Sequence, residues 1–66
     1  MANTLGNRVK TLRNHKNMTQ LELSQAVPCD RSMIGYVESG VRTPGLSMLS
    51  KIAAALDTDL PTLLAK

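Results

Sequence analysis

One cysteine, one histidine and one aromatic residue among 66 positions close off several kinds of small protein at the outset. Cys29 has no second cysteine with which to form a disulfide, and with His15 as the sole histidine no Cys/His group has metal-ligand spacing. Stability is therefore expected to come from packing alone, in a reducing, cytoplasmic setting. No stretch approaches the roughly 20 apolar residues needed to cross a bilayer, and the N-terminus lacks an apolar run of signal-peptide length, so a soluble protein is expected. A close carboxylate pair in an apolar pocket and a glycine-rich phosphate loop are both missing, which argues against an enzyme and against any cofactor. Internal repeats, low-complexity tracts and strand-like alternation are missing too, leaving a single domain, residues 1–66.

What is present is positive charge, unevenly placed. The net charge is +3 and the isoelectric point near 9.5. Between Arg8 and Arg42 lie six basic residues (Arg8, Lys10, Arg13, Lys16, Arg31, Arg42) against three acidic ones (Glu22, Asp30, Glu38). A basic face of this kind suits a polyanion such as DNA, although ordinary soluble domains often carry as much.

Apolar spacing and cap residues predict five short helices. Leu5, Val9 and Leu12 mark a first helix ending near His15 or Lys16. Thr19 and Glu22 form a capping-box pattern for a second, with Met18 and Leu23 as a hydrophobic staple. Its inward residues are expected to be Leu23, Ala26 and Val27, and Pro28 should stop it. Asp30 is placed to cap a third helix with Ile34 and Val37 inward and Gly40 at its end in the left-handed conformation. A fourth helix starts near Ser47 and buries Leu49, Ile52, Ala53 and Leu56; Asp59 caps a fifth that presents Leu60, Leu63 and Leu64. The third helix shows Arg31, Ser32, Gly35, Tyr36 and Ser39 outward, an unusual face for a helix that is merely solvated.

Two short helices joined by a tight turn, the second polar on its outer side, match the helix-turn-helix plan. Five stretches in order carry a closer likeness: Val9-x-x-Leu12-Arg13; Met18-Thr19-Gln20-x-Glu22-Leu23; Arg31 through Gly40; Arg42-Thr43-Pro44; and Lys51-Ile52-Ala53-x-Ala55-Leu56. In these the chain resembles the Xre, Cro and lambda-repressor type of helix-turn-helix regulators, from about Leu5 to Leu64. The resemblance implies an all-α domain with its helix-turn-helix at about residues 19–39. It also implies a transcriptional regulator of double-stranded DNA, most naturally a repressor acting as a homodimer on a palindromic operator. The alternative is an antitoxin or bridging-type module that grips another protein and also carries this DNA-reading unit.

The same resemblance assigns roles. Arg31, Ser32, Gly35 and Tyr36 stand at base-reading positions in the major groove, where an arginine can bridge O6 and N7 of guanine. Thr19 and Gln20 at the start of the second helix, and Ser39, Arg42 and Thr43 around the loop after the third, stand at phosphate positions. Arg8, Lys10 and Lys16 are weaker candidates for DNA contact. Tyr36 offers a hydroxyl and a ring to the DNA, or alternatively forms a lid half-packed on the core. Gly35 either lets DNA approach the backbone or is a tolerated weak point costing about 0.5–1 kcal/mol relative to alanine. Arg13 and Glu38 are expected to pair and to lock the third helix onto the body of the domain. Leu60, Leu63 and Leu64, joined by Leu46 or Met48, are expected to form a dimer interface. Two positions depart from the family pattern: Pro28 where a glycine of positive φ is usual, and Ser24 where alanine is preferred. Cys29 reads as a small buried hydrophobe in the turn rather than a redox sensor.

Overall fold

The computed structural model describes residues 4–64, which form five helices: α1 (Thr4–His15), α2 (Gln20–Ala26), α3 (Arg31–Ser39), α4 (Leu46–Ala55) and α5 (Leu60–Leu64). They enclose one apolar core of Val9, Leu23, Val27, Ile34, Val37, Leu49, Ile52, Ala53, Leu56 and Leu63. α3 packs against both α1 and α2, while α4 closes the opposite side against α2 and α5. The third helix is thus gripped along its inner side and open along its outer one.

The helix ends follow from local chemistry. The Thr19 hydroxyl accepts from the Glu22 amide at 3.0 Å and the Glu22 carboxylate accepts from the Thr19 amide at 2.8 Å, completing the capping box. Gly40 ends α3 at φ 85°, where a Cβ would clash with the backbone. Asn17 and Asp57, at φ 56° and 57°, turn the chain after α1 and α4, a conformation short polar side chains tolerate better than most. The Asp59 carboxylate accepts from the Thr62 amide at 2.8 Å and caps α5. Asp30 holds the cap position of α3 with extended backbone but makes no side-chain cap bond.

Two expectations need correction, the inward place of Ala26 and the outward one of Leu63. Ala26 is exposed, and Ser24 takes its place on the inner side of α2. On a helical wheel Leu23, Ser24 and Val27 fall within about 100°, and Ala26 lies about that far from their middle. The buried Ser24 hydroxyl donates to the Leu21 carbonyl at 2.7 Å, so burying it leaves no unpaired polar atom. α4 begins at Leu46, next to the expected Ser47, with Gly45 at the cap position and Pro44 buried behind it. Leu63 is fully enclosed by its own chain.

The turn between α2 and α3 contains no residue of positive φ. Val27 caps α2 at φ −70°, ψ −42° with its amide donating to the Leu23 carbonyl, and the Val27–Pro28 peptide is cis. The Cys29 amide then donates to the Ser24 carbonyl at 2.7 Å. The Cys29 side chain is half-buried, and burial, reinforced by the neighbouring Asp30 charge, pushes its thiol above the usual range. A raised thiol pKa means less thiolate, so this cysteine is a poor nucleophile.

Candidate nucleic-acid interface

α3 separates its residues cleanly. Ile34, Val37 and Glu38 are buried. Arg31, Ser32, Tyr36 and Ser39 are exposed and Gly35 is half-exposed. At 100° per residue the five outward positions span an arc of about 140°. The outer face therefore carries an arginine, two hydroxyls, a phenol and a stretch of backbone bare of Cβ.

Tyr36 is 44% exposed. Its ring lies beneath the Arg42 guanidinium, 5.7 Å from carbon to centroid, within cation–π range. The Arg42 amide donates to the Tyr36 carbonyl at 3.3 Å and the Ser39 hydroxyl to the same carbonyl at 3.2 Å. The loop after α3 is thereby folded back onto the outer face of that helix, setting Arg42 beside Tyr36; Thr43 is exposed next to it in sequence.

Behind this face sits the expected ion pair. Arg13 Nε donates to Glu38 Oε2 at 2.7 Å and Arg13 Nη2 to Glu38 Oε1 at 3.1 Å, a two-bond fork. Arg13 Nη1 donates to the Met18 carbonyl at 2.7 Å. Both side chains are buried, and the guanidinium is committed to holding α1, α3 and the start of α2 together. Among the described residues no buried side-chain nitrogen or oxygen lacks a partner.

Sequence reasoning missed where Gln20 points. Its Nε2 donates to Glu38 Oε1 at 3.2 Å and its Oε1 accepts from Arg31 Nη1 at 3.2 Å. Three residues on two helices meet there, and no local spacing signals such a meeting. Nor is it visible in sequence that two of the weaker DNA candidates are tied elsewhere. Arg8 Nη1 donates to the Thr62 carbonyl at 2.9 Å, and Lys16 pairs with Asp57. Lys10 is exposed.

Of the three leucines expected at a dimer surface, Leu63 must be withdrawn: at 0% exposure it has no area to offer a partner. Leu64 is 43% exposed, Leu46 is 65% exposed, and Leu60 and Met48 are half-buried. Among the described residues no group of His, Cys, Asp and Glu is arranged to hold a metal, and no helix is long and apolar enough to cross a membrane.

A short helix braced from behind and polar in front, preceded by a capped helix across a tight turn, is the arrangement the helix-turn-helix family model matches over residues 9–63. The chain belongs to the helix-turn-helix family. Control protein C.SmaI of Serratia marcescens is 37% identical over 62 residues, covering 94% of this chain and 74% of that protein. The immunity repressor of Bacillus phage phi105 is 34% identical over 53 residues, covering 80% of this chain. The chain spans only 37% of that repressor's length. Among solved structures, the restriction-modification controller protein C.AhdI from Aeromonas hydrophila superimposes with a TM-score of 0.89 at 36% identity, covering 92% of each chain. A chain of the SinR–SinI protein complex also gives 0.89, at 28% identity, covering 94% of this chain and 61% of that one. The matched family model is of the Xre and lambda-repressor type, and this helix-turn-helix protein is a DNA-binding transcription regulator.

Proposed function

We propose that this helix-turn-helix protein represses transcription by binding a palindromic operator as a homodimer, with α3 in the major groove. The observation that carries the reading is the division of α3: an inner side fixed by Ile34, Val37 and the Arg13–Glu38 fork, and an outer side of exposed Arg31, Ser32, Gly35 and Tyr36. In this reading Arg31, Ser32 and Tyr36 reach base edges, and Gly35 lets the backbone come close. Thr19, Gln20, Ser39, Arg42 and Thr43 fix the register by holding phosphates, Gln20 aided by the positive end of α2.

Dimerisation follows from the size of the reader. One helix of nine residues meets only a few base pairs, and a two-fold pair doubles the contact and accounts for a symmetric site. The surface we assign to it is that of Leu64 and Leu60, extended by Leu46 and Met48. A selection of bound sequences from random duplex DNA tests the proposal. It should return a two-fold symmetric consensus with a guanine in each half-site and half-sites about 34–36 Å apart. An asymmetric consensus, or none, would contradict it. The SinR relative is described in complex with the SinI protein, which supports a second, compatible reading in which a protein partner also binds here. Native mass spectrometry of the complex from cells would reveal a second polypeptide.

A further inference from the structure

The polar groups between the core and the outer face of α3 form one continuous chain. Arg13 forks onto Glu38, Glu38 Oε1 also accepts from Gln20 Nε2 at 3.2 Å, and Gln20 Oε1 accepts from Arg31 Nη1 at 3.2 Å. Exposure rises along it, from buried Glu38 through half-buried Gln20 to exposed Arg31. A carboxylate only accepts and a guanidinium only donates, so the amide between them has one orientation that serves both ends. Turned over, it would set its oxygen against the carboxylate and its NH₂ against the guanidinium. The α3 backbone passes close by: a Cβ on Gly35 would find Gln20 Oε1 as its nearest neighbour, at 3.9 Å.

We propose that Glu38, out of reach of DNA itself, is a positioning residue for base recognition: it fixes the orientation of the Gln20 amide, which in turn holds Arg31 in one pose toward the groove. The inference rests on Arg31 being a base-reading residue. Arg31 gives one of its five N–H groups to Gln20 and keeps enough for two parallel bonds to guanine O6 and N7. Discrimination among bases depends on that pose, because two bonds must form together, whereas attraction to phosphate depends little on it. Glu38 thus does more than brace α3, and Gln20 does more than meet a phosphate.

The test measures affinity for the preferred duplex and for duplexes changed at one position, that where Arg31→Ala relaxes the choice of base. Glu38→Gln replaces a pure acceptor by an amide that can face either way, so Gln20 is no longer forced. Discrimination at that position should fall about three- to tenfold, the cost of ordering one long side chain on binding, with other positions unchanged. Glu38→Gln also weakens the Arg13 fork, so Gln20→Met, which leaves the fork in place, carries the test if the first variant unfolds. It should lower affinity on every duplex, because methionine cannot hydrogen-bond a phosphate as glutamine does, and should in addition lower discrimination at that one position. The additional effect should vanish in an Arg31→Ala background. If Gln20→Met weakens all duplexes equally and keeps the base ranking, the relay is overturned while Arg31 remains a reader. If Arg31→Ala itself leaves base preference untouched, the reading on which the relay rests is what fails.

Discussion

Replacing Gly35 by alanine should make the free protein more stable and its DNA complex weaker, and the two effects come from different sides of the same atom. Position 35 lies in the middle of α3, where glycine costs about 0.5–1 kcal/mol relative to alanine through backbone entropy. Within the chain nothing requires the glycine. Beyond the backbone of its own helix and its chain neighbours, a Cβ there would meet only Gln20 Oε1, at 3.9 Å, an ordinary van der Waals contact. For a domain of this size 1 kcal/mol corresponds to about 4–8 °C, so Gly35→Ala should raise the melting temperature by about 2–8 °C. On DNA, in the proposed reading, the methyl group would stand between Arg31 and Tyr36 on the face of α3 that enters the groove. Forcing a methyl into a close-packed contact costs about 1–3 kcal/mol, or roughly five- to 150-fold in affinity. Thermal melts of the free protein and fluorescence titrations on the preferred duplex measure the two halves separately. A fall in melting temperature would refute the packing argument for the free chain. A rise in stability with unchanged affinity would refute the close approach of DNA at Gly35.

Other perturbations address the bracing, the caps and the assembly. Arg13→Met removes both bonds of the buried fork, together with the bond to the Met18 carbonyl, and leaves Glu38 with less compensation, so it should cost about 3 kcal/mol, the lower end for a broken buried pair because Gln20 still donates to the carboxylate. Loss of most folded protein at moderate urea is the expected result, and unchanged stability would contradict the bracing role. The Asp59 carboxyl is held below its ordinary value of 3.8, first by the Thr62 hydroxyl and then by the Thr62 amide. A depressed pKa means the cap stabilises α5 above the ordinary carboxylate range and is lost as pH falls through the folded-state pKa. The Thr62 amide resonance should therefore titrate with a midpoint below 3.8, and a midpoint at or above that value would contradict the cap. Leu64→Glu places a charge on the proposed dimer surface at a position 43% exposed. Sedimentation should show a shift from dimer to monomer with melting little changed, and a persistent dimer would move the interface elsewhere.

The features legible in the sequence were those decided within a few residues. Thr19 with Glu22, Gly40 and Asp59 announce their helix ends because each cap is closed by groups three or four positions apart. The inner residues of α4 were equally plain, since Leu49, Ile52, Ala53 and Leu56 repeat over two helical turns. α2 gave less warning. In seven residues the apolar stripe is too short to fix its own centre, so Ala26 and the self-satisfied Ser24 exchanged sides. Leu63 and Leu64 are adjacent and chemically alike, and only the packing of α5 against α1 and α4 decides which is enclosed. The meeting of Gln20, Arg31 and Glu38 depends on how α2 and α3 dock, and it has no trace in local spacing. The Arg13–Glu38 pair, 25 positions apart, has no local signal either; it was expected through the family resemblance alone, and its two bonds measure 2.7 and 3.1 Å.

The claim that α3 reads sequence while the loop behind it holds the backbone is tested most directly by titrating Arg31→Ala and Arg42→Ala on preferred and scrambled duplexes at several salt concentrations. Arg31→Ala should cost about 1–3 kcal/mol at the preferred site and relax the choice of base at one position in each half-site. Arg42→Ala should weaken binding about equally on all duplexes and lower the salt slope by about one unit for each phosphate it ceases to neutralise, leaving the ranking of sites intact. If Arg31→Ala kept the base preference and Arg42→Ala changed it, α3 would not be the reading element.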